Sequence, residues 1–287
     1  ARSQDNDTHV IPTDTLYITI DKEAVRRSGM MMASDTIPDR MVISLAGKRA
    51  IYKNDMMMLE MLAQCNWERP LYVATTVGSD NYMNLGDNFV QEGLAYRITP
   101  FNTKAPGAKN FDTEKVYNNV MNRFKWGGLD KPGLYIDETV MRMCYTHRHL
   151  LAQLAMQLIA EGQNAKAEKV LRKAEKVLPE YNVPYTFLSG AADMARAYAL
   201  IGKKADAARI LNKVWADAKS YADYYLQLTG SRFMMSQNDV LRQLYIMQNI
   251  ADITQACDHS LADQRLKTVN ALYAVYQAKG GAPYDGE

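Results

Sequence analysis

The residues best suited to chemistry lie in one polar segment, residues 80–97. Amide and carboxylate side chains alternate there with aromatic rings, a mixture that can bind a sugar or a peptide. The segment follows the strongest expected strand, a position where α/β proteins often bind ligands. An ordered loop with Asx turns and caps explains the same residues without a ligand. The candidate binding residues are Asn81, Tyr82, Asn84, Asp87, Gln91, Glu92, Tyr96 and Arg97.

A second polar cluster spans residues 137–149. Glu138 and Arg142 stand four residues apart on an expected helix, the spacing of an ordinary ion pair. Asp137 and Glu138 are adjacent, and because helix neighbours diverge by about 100°, shared acid–base work is not expected of them. His147 and His149 are two residues apart and do not form a metal-binding pair. The candidate binding residues here are Asp137, Arg142, Tyr145 and His147.

Motifs for the common catalytic machineries are absent from the sequence. The chain has no GxSxG nucleophile turn, no GxxxxGK[ST] phosphate loop and no HExxH zinc motif. Its three cysteines are far apart and form no CxxC pair, which is typical of free thiols. We therefore expect no catalytic residue, no metal site and no cofactor in this chain.

Composition narrows the class of protein further. The chain has 287 residues, of which 47% are hydrophobic and 23% charged, as in a globular protein with a substantial core. Its net charge is +2, so nucleic acid is not an expected partner. No apolar run reaches the roughly 18–20 residues that a membrane-spanning helix needs. The first residue is Ala and residues 2–9 are polar, which suggests an excised or matured piece of a longer protein.

The elements that must position these residues change in character near Cys144. Before it, alternating β-rich segments predict strands at residues 15–20, 41–45, 71–77 and 96–99. A helix capped by Asn54 or Asp55 is expected to bury Met57, Met58, Met61 and Leu62 on one face. A second helix is expected at residues 114–124, capped by Thr113. Helix followed by apolar strand resembles an α/β unit.

After Cys144 the pattern is almost wholly helical and repeats. Apolar positions around Leu154, Leu158, Ala167 and Leu171 recur 40 residues later, a pattern typical of tetratricopeptide hairpins. An insert is expected near residues 180–184, and a divergent third helix pair at 240–257 and 261–279. We predict an α+β protein, with a small mixed α/β lobe at 1–143 followed by a tetratricopeptide-like helical-hairpin stack at 144–287.

Five segments resemble a known family, and the resemblance runs from Ile11 to the C-terminus. They include IPTDTLYITIDKEAV, MMMLEMLAQCNWERPLYVATTVG and NYMNLGDNFVQEGLAYRITPF. The other two are NFDTEKVYNNVMNRFKWGGLDKPGLYIDETVMRMCYTHRHL and PEYNVPYTFLSGA. Together they resemble the C-terminal region of a Bacteroidetes membrane-protein family labelled domain of unknown function 2723. That family is similar to the transmembrane protein O-mannosyltransferases of eukaryotes.

The resemblance implies a parent protein that transfers sugar from a lipid-linked donor through a multi-span membrane part. It also implies that the present chain lies on the periplasmic face of the inner membrane. Because the family's catalytic acid is expected in the membrane part, no catalytic residue carries over to this chain.

Three functions follow as hypotheses. The first is a non-catalytic extracytoplasmic region of the glycosyltransferase-like parent, which binds a protein or glycan acceptor, partner subunits or the parent membrane domain. The second is a stand-alone scaffold of the cell envelope. The third is a cryptic carbohydrate-active enzyme that uses residues 80–97.

Overall fold

The computed structural model describes residues 11–32 and 36–282, and the chain forms two compact units, Ala1–Asn119 and Val120–Glu287. Small β-sheets in the first unit are followed by a run of helices in the second. The predicted α+β class with a helical-hairpin stack is confirmed. The helical unit begins earlier in the chain than the change of sequence character at Cys144, which lies inside a helix.

The first unit opens with a two-stranded antiparallel sheet. Strand β1 (Thr15–Thr19) pairs with β2 (Arg40–Ser44), and both strands lie where the sequence predicted them. Between them lies helix α1 (Lys22–Arg27), whose first N–H groups donate to the Asp21 carboxylate. That side chain satisfies backbone donors that a helix start otherwise leaves without partners.

Helix α2 (Lys53–Gln64) begins one residue before the predicted cap at Asn54 or Asp55. Tyr52 occupies the cap position, and the Asp55 carboxylate accepts the Tyr52 N–H at 3.0 Å. It also accepts a hydrogen bond from Lys48 Nζ at 3.0 Å. Asp55 thus supports the helix start from inside the first turn.

The predicted buried face of α2 is right for Met58 and Leu62 and wrong for Met57 and Met61. Leu62 is buried, but Met57 and Met61 are each more than half exposed. The residues that contact the core are Met58, Leu59 and Leu62. Leu62 follows Met58 by four residues and Leu59 by three, so the three side chains share one face of the helix. The sequence has methionines all round this helix, so periodicity alone did not identify the covered side.

A three-stranded sheet follows in the order β3 (Tyr72–Ala74), β5 (Ala95–Ile98), β4 (Phe89–Gln91). Both pairings are antiparallel, so the expected α/β unit is wrong. The predicted strand at 71–77 shortens to three residues, and β4 was not predicted because its residues read as part of a polar loop.

Helix α3 (Thr113–Asn118) starts at the predicted place, with Asp112 rather than Thr113 as its cap. The Asp112 carboxylate accepts the Lys115 N–H at 3.1 Å. The chain then continues as a π-helical segment, Asn119–Arg123, which covers most of the rest of the helix expected there.

The second unit consists of stacked helical hairpins. Its helices are α4 (Glu138–Ala160), α5 (Asn164–Val177), α6 (Ala191–Leu200), α7 (Lys204–Gln227), α8 (Gly230–Met235), α9 (Gln237–Gln255) and α10 (His259–Ala278). Helix α4 packs on α5, α6 on α7 and α9 on α10, while α4–α6 and α7–α9 contacts join successive hairpins. The predicted third pair is confirmed as α9 and α10.

Small residues set the spacing inside these hairpins, as the repeat pattern predicted. Ala167 and Leu171 on α5, and their counterparts Ala207 and Leu211 on α7, are fully buried. The insert falls between α5 and α6, and this linker (residues 178–190) contains a 3-10 turn, Phe187–Ser189.

Candidate functional site

The fold itself uses much of the polar segment at residues 80–97. The Asn84 amide donates to the carbonyl oxygens of Ser44 and Ala46, at 2.9 and 3.1 Å. The Tyr82 hydroxyl donates to the Val77 carbonyl at 2.8 Å. Gln91 is buried, and its amide donates to the Gly93 carbonyl at 3.0 Å. These bonds fix backbone turns, as the ligand-free interpretation of the segment expects.

Glu92 forms the polar centre of the first unit. Its carboxylate accepts hydrogen bonds from the Tyr72 hydroxyl at 2.7 Å, Lys115 Nζ at 2.9 Å and the Arg97 guanidinium at 3.2 Å. Arg97 is buried and also donates to the Ser28 carbonyl.

Both members of the Tyr72–Glu92 pair have a shifted pKa. Burial favours the protonated form of Glu92, but hydrogen bonds from Lys115 and Tyr72 outweigh it, so the pKa of Glu92 lies below its usual value. Burial, with the hydrogen bond to Glu92, raises the pKa of Tyr72 to about 12. The Glu92 carboxylate therefore has three partners within the fold, and Arg97 uses both terminal nitrogens of its guanidinium, while its buried Nε has no hydrogen-bond partner.

The remaining predicted residues of this segment differ in their surroundings. Asn84 and Asp87 line a groove of about 560 Å³ beside β2, and Asp87 pairs with Lys104 at 2.7 Å. Tyr96 stacks on Phe89 with ring centroids 5.7 Å apart. Asn81 is exposed in a 3-10 turn, Ser79–Asn81. A ligand for these side chains stays a prediction.

The second predicted cluster does not converge on one point. Asp137 caps α4 by accepting the N–H groups of Thr139 and Val140. Arg142 forms the predicted exposed ion pair with Glu138. His147 contacts the Met143 carbonyl through Nδ1 and packs edge-on against Trp126. Tyr145 is the one member of this predicted set that lines a cavity described below.

That cavity, here called the stack groove, lies within the helical unit. It has a volume of about 280 Å³ and is built by α4, the linker, α7 and α9. Helix α6 is ten residues long and α7 is 24, so α7 extends roughly 20 Å farther at 1.5 Å per residue. The groove lies along this extension. Its principal lining residues are Tyr145, Phe187, Asp217, Tyr221, Tyr225 and Asp239.

Aromatic rings give the stack groove much of its surface. Tyr221 and Tyr225 stand one helical turn apart, with ring centroids separated by 6.4 Å and planes inclined at 24°. Tyr224 meets Tyr225 edge-on at 5.3 Å. Tyr221 is half exposed, so its ring is available to a ligand. Such amphipathic rings present an apolar body and a hydroxyl to whatever enters.

The charge in the groove is incompletely balanced. Within the described part of the chain, the Asp217 carboxylate has no hydrogen-bond or ion-pair partner, and burial raises its pKa. Asp239 also lines the groove, and α9 contributes Arg242. Burial raises the pKa of Tyr225, with a further contribution from Asp239. A ligand cation that enters the groove would pair with this partly buried carboxylate through a charge-assisted hydrogen bond.

A buried arginine holds the linker that contributes to the groove. Arg148 is fully buried on α4, and its guanidinium donates to the carbonyl oxygens of Leu178, Val183 and Pro184 at 2.9, 2.6 and 3.2 Å. The guanidinium also lies over the Tyr185 ring at 4.9 Å. Burial lowers the pKa of Arg148 to about 10, so the group stays charged at neutral pH.

Sequence reasoning missed Asp217, Tyr221, Tyr225 and Asp239. The available signal was the tyrosine-rich run YADYYL at residues 221–226, which places two rings on one face at a spacing of four. Tyr145 lies 76 residues before Tyr221, so no local pattern links them.

Within residues 11–32 and 36–282, no group of three or more His, Cys, Asp or Glu side chains could hold a metal ion. No helix in those ranges combines the length and apolar character needed to cross a membrane.

Comparison with known proteins gives one finding. Residues 1–117 match the family model of TMEM260-associated domain 2, a domain family without an assigned function. Neither the curated proteins nor the solved structures gave a match to this chain.

Proposed function

We propose that this chain is a non-catalytic, partner-binding region of a membrane-embedded glycosyltransferase-like protein. In this proposal it lies on the periplasmic face of the inner membrane, and the stack groove binds a segment of an acceptor protein or of a partner subunit. The observation that carries the proposal is the groove itself, where tyrosine rings line the same cavity as a carboxylate that the fold leaves without a partner.

Three further points support this assignment. The family matched by residues 1–117 has TMEM260 in its description. The resemblance from Ile11 to the C-terminus, dense in the first 190 residues, points to the family labelled domain of unknown function 2723, and so to lipid-sugar-dependent transfer by a parent protein. Stacked helical hairpins, as in the second unit, are suited to present an extended binding surface.

Photo-crosslinking in cells that make the parent protein tests the binding role. A photoreactive phenylalanine analogue replaces Tyr221 in the stack groove, and in a matched control it replaces Lys169, which is exposed on α5. We expect a glycoprotein or a subunit of the same complex to be captured from position 221 and not from 169. Identical products from both positions would contradict the proposal.

An activity assay tests the non-catalytic role. The purified chain is incubated with a lipid-linked sugar donor and an acceptor, and we expect no transfer. Transfer by this chain alone would refute the assignment. If deletion of the parent gene leaves protein O-glycans unchanged, the scaffold alternative is favoured.

The cryptic-enzyme alternative is tested at Asp87. Replacing Asp87 removes an exposed ion pair with Lys104, so Asp87→Ala leaves the fold intact. Glu92→Ala is unsuitable for the same purpose because it removes the partner of two cations. If Asp87→Ala folds normally but loses a carbohydrate-directed activity, the cryptic-enzyme alternative is favoured over a binding role for the stack groove.

A further inference from the structure

We infer that the stack groove binds an extended polypeptide segment through a lysine or arginine side chain that pairs with Asp217. This inference rests on the proposed function and names the chemistry of the ligand. It follows from three properties of the groove, namely its charge, its aromatic lining and its size.

The charge argument begins with Asp217. The carboxylate is partly buried, and no cation among the described residues lies within ion-pair distance of it. The groove also contains Asp239 and one cation, Arg242, so its side chains carry a net charge of −1 when both carboxylates are ionised. A basic ligand side chain supplies the missing partner and forms a charge-assisted hydrogen bond.

The aromatic lining selects what lies beside that cation. The stacked rings of Tyr221 and Tyr225 form a ridge one turn long, and Phe187 and Leu188 add apolar surface from the linker. Leu188 is more than half exposed. Such surfaces favour the aliphatic stem of a lysine or arginine and its apolar neighbours.

The size of the groove excludes a bulky ligand. A volume of about 280 Å³ lies just below the roughly 300–1,000 Å³ of ordinary small-molecule pockets. It accommodates a few side chains of an extended segment. An oligosaccharide could satisfy the hydroxyls but would leave the Asp217 charge uncompensated, so the observations favour a peptide.

The test uses the whole chain and two fluorescein-labelled nonapeptides. Both peptides carry the same leucine and proline residues, and they differ only at the central position, which is arginine in one and its neutral isostere citrulline in the other. Fluorescence anisotropy gives the two dissociation constants. We expect the arginine peptide to bind about tenfold more tightly, the effect of one charge-assisted contact.

Two variants assign that preference to Asp217. Asp217→Asn removes the charge at constant size, and we expect it to abolish the preference for arginine. Asp252→Asn, an exposed change on α9 away from the groove, is the matched control and retains it. Circular dichroism confirms that both variants keep their helix content.

Several outcomes would overturn the inference. They are equal affinity for the two peptides, no binding of the arginine peptide up to about 1 mM, or an undiminished preference in Asp217→Asn. Displacement of the peptide by mannotriose would instead identify a glycan site. Because crosslinking from position 221 does not depend on a ligand cation, the proposed function can stand if this inference fails.

Discussion

Replacing Arg148 with methionine tests whether the buried guanidinium stabilises the helical unit. Three charge-assisted hydrogen bonds, at about 1.5–3 kcal/mol each, set an upper bound of about 9 kcal/mol for their loss. Removing a buried cation recovers several kcal/mol of desolvation cost, so we expect a net loss of about 3–5 kcal/mol in the free energy of unfolding. Methionine retains most of the packing against Tyr185 and leaves three carbonyl groups without their donor.

Urea and thermal unfolding, followed by far-UV circular dichroism, measure this loss. At about 2–4 °C per kcal/mol for a unit of this size, Tm falls by about 10 °C. Arg142→Met is the matched control, because it makes the same change on the same helix at an exposed side chain, and it costs less than about 1 kcal/mol. We also expect faster amide hydrogen exchange across residues 178–186 in Arg148→Met alone.

Arg148→Lys refines the test. Lysine keeps a positive charge but lacks the planar fork that reaches three carbonyls at once, so we expect a loss of about 2 kcal/mol. If Arg148→Met is no more destabilising than Arg142→Met, the guanidinium does not stabilise the linker and the reasoning is refuted.

Three further predictions concern the same helical unit. Gly190 has φ +75°, and an added Cβ would lie 3.0 Å from His149 Nδ1, so Gly190→Ala lowers unfolding free energy by about 1–3 kcal/mol in urea titrations. Pairing of His149 Nδ1 with the Asp193 carboxylate, 3.6 Å away, raises the pKa of His149. The stabilisation is therefore complete below the unfolded value of about 6.5 and lost as pH rises through the higher folded pKa. His149→Gln should cost up to about 0.5 kcal/mol at pH 5 and nothing at pH 9, and an equal cost at both would contradict this. Arg172 donates to both carboxylate oxygens of Asp206, at 2.8 and 2.7 Å, so we expect Asp206→Asn to lower the free energy of unfolding by about 1 kcal/mol at neutral pH. Because this pair lowers the pKa of Asp206, the difference between variant and wild type should disappear as the pH falls below 3.8 and passes the folded pKa. Unfolding curves recorded across this pH range measure the difference.

The helical unit was predictable because its signals are local and repeated. Ala167 and Ala207 occupy equivalent positions where two helices approach closely, and both are fully buried. Gly162 and Gly202 adopt φ +74° and +78° at the turns that follow α4 and α6. Each of these features is confined to one hairpin, so the sequence pattern and the packing agree.

The first unit was harder to predict because its contacts are distant in sequence. Glu92 acquires Tyr72 and Lys115 as partners across 20 and 23 residues, which no spacing rule indicates. The direction of strand pairing around β5 also depends on contacts beyond any single segment. For that reason the sequence pattern at residues 71–77 predicted that a strand forms there, but it did not predict which strands would pair with it or that they would be antiparallel.

The stack groove lay outside sequence reasoning for the same physical reason. Tyr145, Asp217 and Asp239 come from three helices, and their proximity depends on the difference in length between α6 and α7. The tyrosine run near residue 221 indicated an aromatic surface, but a surface becomes a cavity only when neighbouring helices close around it.

The long helix α7 has a consequence for how this unit comes apart. It packs against α6 along one part and contacts α9, α8 and α10 as well, so it belongs to two hairpins at once. A repeat array whose hairpins are independent can lose its last member and keep the rest, whereas here truncation after α8 would remove α9 and α10, both of which contact α7. We therefore expect the described helices of this unit to unfold as a single cooperative block, without separate fraying of α9 and α10.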